Sequence, residues 1–323
     1  MAPLKKSVTV VAPCSTANMG PGYDVFGLAL DALEDRVRIT KTDVEPHGSI
    51  FIKMPGGDNN NSNNRIPVQP ESNSAGRVIA KITRDFGIRD SVVAEIRKGV
   101  PAGYGLGSSA ASAAAAALAM KALYNLKIDN DSLVDYAAEG EIASAGTKHY
   151  DNVSASLIGG FVISSIAGDR RRFIRMDSPR DLYLVVAVPL SMKVPEKKTE
   201  MARSVLPKEV ALRDVVHNVS SASTIVAGFA LGDTTLIARG VDDVIVEPAR
   251  KSLIPGYDEV KKNALASGAL AVTISGAGPS VIAFLKTRTK SQKVMKAMKA
   301  GFASAGIESR ALACRPSGGA RVV

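Results

Sequence analysis

The chain has 323 residues, of which 46% are hydrophobic, 22% charged and 5% aromatic. That length exceeds what one hydrophobic core usually serves, so it predicts two domains, and no apolar run reaches the roughly 18 residues that a membrane-spanning helix needs. The net charge of +10 suits an anionic partner, but tryptophan is absent and no basic cluster is interleaved with aromatic residues, which argues against a platform for stacking nucleic-acid bases.

The cysteine and histidine pattern bears on compartment and metal binding. Cys14 and Cys314 lie far apart, which fits a reducing compartment better than a disulfide framework. His47, His149 and His217 are scattered, so no zinc-type spacing is present. The stretch MAPLKKSVTVVAPCS lacks a long apolar region followed by a cleavage site. We therefore expect a cytoplasmic protein with no nucleic-acid or membrane partner.

The first half of the chain alternates between strand and helix patterns. Strands are predicted at 7–13, 35–43, 49–55 and 91–99, and helices at 74–86, 108–124 and 131–144. A polar loop is expected at 56–73, and the apolar stretch 156–166 is predicted to be a buried strand pair or a turn.

The apolar pattern breaks at 167–181, and this break predicts two domains, 1–170 and 171–323. Beyond it, strands are predicted at 182–189, 269–278, 280–285 and 309–316, and helices at 197–204, 210–231, 256–267 and 289–304. Strands and helices mix without regular βαβ repeats, which favours an α+β fold over a doubly wound sheet.

The segment PAGYGLGSSAAS at 101–112 places three glycines directly before an alanine-rich helix. The first turn of a helix leaves N–H groups unpaired and carries partial positive charge, and glycines let the main chain approach a ligand closely. A strand, a glycine loop and a helix therefore predict a phosphate cradle. The segment matches neither G-x-x-x-x-G-K-[ST] nor G-x-G-x-x-G, so a tight turn before a packed helix is the alternative.

Two more glycine-rich stretches, APCSTANMGPGYDVFGLAL at 12–30 and SGAGPS at 275–280, complete a pattern. The three segments resemble signatures of the superfamily named for galactokinase, homoserine kinase, mevalonate kinase and phosphomevalonate kinase (the GHMP kinases), and within it the homoserine kinases. Mevalonate-type members usually begin instead with a Gly-Lys and Gly-Glu-His pattern, which is absent here. The resemblance implies an N-terminal ribosomal-S5-domain-2-like domain and a C-terminal ferredoxin-like domain, with the active site between them.

The resemblance also implies an ATP site and a Mg²⁺ site. The expected ATP contacts are Asn73, Pro101, Gly103, Gly105, Leu106, Gly107, Ser108 and Ser109. Ser109 and Glu141 are the expected Mg²⁺ partners, in keeping with the preference of Mg²⁺ for oxygen ligands and substrate phosphates. Asn73 is expected on the adenine side, and its place before a helix makes it equally a candidate N-cap.

For the phosphoryl acceptor, the resemblance implies L-homoserine, which would be converted to O-phospho-L-homoserine for threonine biosynthesis. The expected substrate contacts are Asn18, Asp24, His149, Asn152, Arg203, Arg250 and Gly276. The chemistry agrees, since the Asp24 carboxylate suits an ammonium group and two guanidinium groups suit a carboxylate.

The residues expected to act in catalysis are Ser109, Glu141, Asp151, Asn152 and Thr199. Asn152 is expected to orient the hydroxyl without a committed general base, because a loose transition state needs positioning and charge neutralisation most. Asp151 as a general base is an open alternative.

Two other functions are left open by the sequence. One is another small-alcohol kinase of the superfamily, of mevalonate or shikimate type, and the other is a non-catalytic ligand-binding relative. Dimerisation is common in the superfamily, so a homodimer is an open expectation, although the sequence identifies no interface.

Overall fold

A long antiparallel hairpin, followed along the chain by shorter strands, organises the fold. The computed structural model describes residues 6–55, 66–167, 170–195 and 198–323. The strands are β1 (Ser7–Asn18), β2 (Gly22–Thr42), β3 (Ile50–Lys53), β4 (Ser91–Arg97), β5 (Phe161–Ala167), β6 (Arg170–Met176), β7 (Tyr183–Val188), β8 (Ala271–Ile274), β9 (Val281–Leu285), β10 (Arg310–Cys314) and β11 (Arg321–Val322). The helices are α1 (Ser74–Asp85), α2 (Ser108–Leu123), α3 (Asn130–Ala145), α4 (Asp151–Ile158), α5 (Lys198–Ser204), α6 (Leu212–Leu231), α7 (Thr234–Gly240), α8 (Val246–Arg250), α9 (Tyr257–Ala266) and α10 (Ser291–Ala303).

The N-terminal half contains a seven-stranded sheet in the order β11-β1-β2-β4-β3, with β5 pairing with β2 and β6 with β5. Helices α1, α3 and α4 pack around α2, which also contacts β1 and β2. The side chains of α2 are mostly alanine and serine and are buried along most of its length. This lack of bulk lets its neighbours approach closely, which holds the start of α2 in a fixed position.

The C-terminal half contains a four-stranded antiparallel sheet in the order β10-β7-β9-β8. Helices separate β7 from β8 and β9 from β10, and α9 and α10 pack together against the sheet. This βαββαβ order is the ferredoxin-like arrangement, so the predicted α+β fold with a ferredoxin-like second half is confirmed.

Most predicted elements are confirmed within a few residues, but β2 begins 13 residues before the strand predicted at 35–43, and only the second part of 156–166 is a strand. Residues Asp151–Ile158 form α4, and β5 begins only at Phe161. The α4 residues Val153 to Leu157 are all buried, so the helix shows no polar face from which its period could be read. Helices α7 and α8 and strands β6 and β11 were not predicted.

Some expectations fall on residues outside the described part of the chain: 1–5, the loop residues 56–65, the pair 168–169, and residue 197 in the predicted helix 197–204. The domain division at residue 170 stays a prediction. Strand pairing assigns 170–176 and 321–322 to the larger sheet. Within the described residues, no helix is both long enough and apolar enough to cross a bilayer.

Candidate active site

A cavity of about 360 Å³ is bordered by segments from both halves of the chain. It is lined by these predicted site residues: Asn18, Asp24, Asn73, Gly103, Gly105, Gly107, Ser108, Ser109, Glu141, His149, Asp151, Asn152, Thr199, Arg203, Arg250 and Gly276. Pro101 and Leu106 do not line it. Leu106 is 1% exposed in the hydrophobic core, and its carbonyl oxygen accepts a hydrogen bond from the Ser15 amide at 3.1 Å. Leu106 therefore ties the loop to β1 on the side of the core.

The loop at 101–107, called the phosphate loop below, needs its glycines because of its backbone conformation. Gly103, Gly105 and Gly107 have φ of +85°, +76° and +66°, in the left-handed region. A Cβ atom on Gly105 would lie 2.3 Å from the Ser275 carbonyl oxygen. Helix α2 starts directly after this loop without a side-chain cap, so the amides of its first turn are available to an anion.

A buried ion pair, absent from the sequence prediction, anchors this loop. The Lys98 ammonium pairs with Asp35 and donates to the Ser108 carbonyl oxygen at 2.8 Å. The other Asp35 oxygen accepts from the amides of Gly99 and Val100, both at 3.0 Å. The pair therefore ties the end of β4 to the first turn of α2.

Ser109 and Glu141 meet at the edge of the cavity, where the Ser109 hydroxyl donates to Glu141 Oε1 at 2.6 Å. Glu141 is 6% exposed, and burial raises its pKa to about 7. A bound divalent cation would favour the ionised carboxylate. Two adjacent oxygen donors that face a phosphate loop fit Mg²⁺, which takes few protein ligands and completes its shell with phosphates and water.

On the lining of the same cavity, Asp24 and Arg203 form an ion pair. Arg203 Nη2 lies 2.9 Å and 2.7 Å from the two carboxylate oxygens of Asp24. Tyr23 lies between two guanidinium groups, with its ring centre 5.5 Å from Arg203 and 5.1 Å from Arg250. The tyrosine thus holds both cations at one wall.

Arg250 is 3% exposed and is held by two carbonyl oxygens, those of Ala202 at 2.9 Å and Gly276 at 3.3 Å. The Gly276 oxygen also accepts from Asn18 Nδ2 at 2.9 Å, and Asn18 Oδ1 accepts from the Asp24 amide at 3.2 Å. Asn18 therefore uses its side chain to join the turn after β8 to the residue that pairs with Arg203.

His149 lies beside these charges, and its buried Nε2 has no hydrogen-bond partner among the described residues. Burial and the Arg203 charge lower its pKa, so the ring is neutral at physiological pH. This nitrogen has almost no accessible surface, so it is not open to the cavity, and its lack of a partner costs about 1–3 kcal/mol.

Asp151 and Asn152 are the first two residues of α4, and both line the cavity. Asn152 Oδ1 accepts from the Ser15 hydroxyl at 3.0 Å. The Asp151 carboxylate accepts from the main-chain N–H of Asn152 at 2.7 Å, and burial, followed by the Asp24 charge, raises the pKa of Asp151 to about 6.

Asn73 acts as the N-cap of α1, since its Oδ1 accepts from the Gly76 amide at 3.1 Å. Its Nδ2 donates to the Pro67 carbonyl oxygen at 2.7 Å. Its side chain is therefore engaged at both ends, while a contact of Asn73 with adenine stays a prediction.

Comparison with known proteins identifies the family of the chain. The model of the GHMP kinases N terminal domain matches residues 73–160, and that of the GHMP kinases C terminal matches 225–304. The chain is 38% identical to a homoserine kinase of Thermoplasma volcanium over 93% of this chain and 91% of that protein. A homoserine kinase of Methanopyrus kandleri is 42% identical over 88% of each chain.

The chain belongs to the homoserine kinase family of the GHMP kinases.

The crystal structure of the homoserine kinase from Cytophaga hutchinsonii superposes with a TM-score of 0.89 at 36% identity, covering 100% of this chain and 99% of that one. The resemblance drawn from the three glycine-rich segments is therefore confirmed, and the protein is an ATP-dependent small-molecule kinase.

Within this kinase-family cavity, sequence reasoning missed Tyr23, Lys98 and Lys198, which all line it. Tyr23 lies within the recognised segment 12–30 and Lys98 lies three residues before the segment 101–112, so closeness in sequence was a usable signal for both. The only comparable hint for Lys198 was its place directly before Thr199.

Proposed function

We propose that the protein transfers the γ-phosphoryl group of ATP to the side-chain hydroxyl of L-homoserine and forms O-phospho-L-homoserine, a step of threonine biosynthesis. The observation that carries this proposal is the Asp24–Arg203 ion pair, with Arg250 on the same wall of a cavity that also contains the phosphate loop.

The ion pair favours a zwitterionic acceptor. An α-amino acid can direct its ammonium group to Asp24 and its carboxylate to Arg203 and Arg250, which exchanges one ion pair for two without adding net charge. Mevalonate and shikimate carry a carboxylate but no ammonium group, so either one would leave Asp24 without its cation. His149 lines the same cavity and lies beside these charges, which fits its expected place near the amino acid.

The reaction needs positioning more than proton removal. Loop amides, the first turn of α2 and the charged groups of the cavity would bind the triphosphate and stabilise the charge on the transferring group. The Asn152 amide would orient the attacking hydroxyl, which can keep its proton until late in a loose transition state. Ser109 and Glu141 would hold Mg²⁺, whose charge would neutralise the phosphate oxygens.

A coupled assay of ADP release tests the proposal, with homoserine, serine, mevalonate and shikimate as acceptors, each with and without Mg²⁺. We expect Mg²⁺-dependent ADP release that requires homoserine. Serine should be far poorer, since its missing methylene leaves the hydroxyl about 1.5 Å short of the phosphate. Faster release with mevalonate or shikimate would overturn the choice of substrate, and no release with any acceptor would favour a non-catalytic relative.

The remaining partner expectations are also testable. We propose that the protein acts on small molecules in the cytoplasm without a nucleic-acid or membrane partner, and light scattering of the purified protein tests the expected homodimer.

A further inference from the structure

Lys198 lines the cavity, but the reaction proposed above does not use it. It is the first residue of α5, directly before Thr199 and one helical turn and a half before Arg203. Its side chain is half-buried, and its ammonium donates to the carbonyl oxygen of Gly278.

That carbonyl oxygen connects Lys198 to the phosphate loop. A Cβ atom on Gly105 would lie 2.5 Å from the Gly278 oxygen, so loop and oxygen are in direct contact. The Lys198 ammonium binds the same oxygen. The lysine therefore places its charge next to the middle of the loop that faces the triphosphate.

Within the described part of the chain, the charge of Lys198 has no neutralising partner. Among the described residues, no carboxylate pairs with it, and the charged group that acts on it is the cation Arg250. Lys98, a second lysine that lines the cavity, differs because it pairs with Asp35. A desolvated ammonium with only a carbonyl partner is costly, and a polyanion is the ligand that offsets this cost.

We propose that Lys198 is a further catalytic residue, whose ammonium contacts the γ-phosphoryl oxygens of ATP and stabilises the charge on the group in transfer. The inference rests on the proposed function. In the step, the bond between the γ-phosphorus and the β,γ-bridging oxygen breaks, and a bond forms between that phosphorus and the homoserine hydroxyl oxygen. The hydroxyl proton leaves to solvent, ADP takes the electrons of the broken bond, and Lys198 keeps its proton.

The electrostatics around Lys198 agree with this role. Burial, together with Arg250 on α8, lowers its pKa to about 7. Of the other charged groups nearby, Arg203 is paired, and Lys193 and Glu200 are exposed. A group whose pKa equals the pH is half-protonated, so a bound polyphosphate should draw about half a proton from the buffer at neutral pH.

Steady-state kinetics of Lys198→Met, Lys198→Arg and a control, Lys193→Met, provide the first test. Lys193 is an exposed lysine five residues earlier. We expect Lys198→Met to lower kcat by about 10²-fold, the usual effect of removing one donor that stabilises transition-state charge. The KM for homoserine should change little. Lys198→Arg should retain most of the wild-type kcat, and the control Lys193→Met should match the wild type. A kcat within about 3-fold of wild type for folded Lys198→Met would overturn the proposal.

Calorimetry supplies a second test that does not depend on turnover. A non-hydrolysable ATP analogue is titrated, without divalent cation, into wild type and Lys198→Arg and Lys198→Met variants in Pipes and in Tris at pH 7. We expect wild type to take up about half a proton more than either variant, because arginine stays charged and methionine is neutral. Equal uptake by all three would overturn the proposal. If wild type shows the extra proton uptake but releases no ADP with homoserine, the contact of Lys198 with phosphate is supported and the proposed substrate is rejected.

Discussion

The hydroxyl of Ser15 donates to the side-chain oxygen of Asn152 at 3.0 Å, a contact that joins β1 to α4. Ser15 is fully buried and accepts from the Ser156 hydroxyl at 3.2 Å. With its oxygen occupied, the Asn152 amide keeps its nitrogen on the side of Gly276 and the cavity. Ser15 and Ser156 therefore fix the orientation of the Asn152 side-chain amide, so that its nitrogen faces the phosphoryl acceptor.

Ser15→Ala tests this orientation. We expect kcat to fall by about 2- to 12-fold, which corresponds to the 0.5–1.5 kcal/mol of a neutral hydrogen bond, while the KM for homoserine stays near wild type. Ser156→Ala is the matched control, since it removes the next link of the chain and leaves the Ser15–Asn152 bond in place. Steady-state kinetics and melting temperatures of both variants check the prediction, and equal losses of kcat in the two would contradict it.

Arg250→Ala tests the carboxylate site. Removal of one partner of a desolvated charge pair costs roughly 2–5 kcal/mol, so the KM for homoserine should rise by tens to thousands of fold. The KM for ATP should change little. Lys251→Ala serves as control, because Lys251 is the adjacent, exposed cation and pairs with Asp258. An unchanged KM for homoserine in folded Arg250→Ala would remove Arg250 from the site.

Local patterns were enough to predict the phosphate loop and α2. Glycines followed by a run of small helix-forming residues specify a turn and a helix without help from distant residues. Helix α4 was missed because burial on all sides erases the period that marks an amphipathic helix.

The contacts that complete the cavity depend on chain segments far apart in sequence. Asp35 meets Lys98 across 63 residues, and Arg203 meets Asp24 across 179. No sequence pattern indicated the pairing of Asp35 with Lys98, although Lys98 itself lies next to the glycine segment, and the second pair entered only through the resemblance to the kinase family. Lys198 acquires its environment from Gly278 and Arg250, which no local pattern connects to it.

Gly107→Ala tests the close approach of the phosphate loop. A Cβ atom there would lie 2.2 Å from the Ser15 hydroxyl oxygen, in addition to the cost of a φ of +66°. Gly232→Ala isolates the backbone cost, because Gly232 has a φ of +67° and nothing within 4 Å of its Cβ position. We expect about 1 kcal/mol of destabilisation at Gly232 and a larger loss at Gly107, together with loss of activity. Urea unfolding measures both, and equal destabilisation would contradict the packing argument.

Asp151→Asn should stabilise the protein at neutral pH. Burial raises the pKa of Asp151 from 3.8 to about 6, so the folded chain holds a proton between these values that the unfolded chain has lost. The stability that this proton contributes is fully present below pH 3.8 and is lost as the pH rises through about 6. The Asp151→Asn variant has no group that ionises at this position. Its free energy of unfolding should therefore exceed that of wild type by up to about 3 kcal/mol above pH 6 and should equal it near pH 4. Unfolding free energies across this range check the sign, and a variant less stable than wild type at pH 7.5 would contradict it.

The activity of Asp151→Asn decides between orientation and base catalysis. The side chain of Asn152 is the group that we expect to meet the hydroxyl. Asp151 accepts a hydrogen bond from the main-chain N–H of Asn152, a contact that an asparagine oxygen can also make. If no committed base is needed, the variant should keep kcat within about 10-fold of wild type and lose any decline of kcat near pH 6, since its side chain no longer ionises. A general base would instead require a fall of about 10²- to 10⁴-fold. Measurement of kcat from pH 5 to 9 for both proteins separates these outcomes, and a loss in the larger range would assign the proton to Asp151.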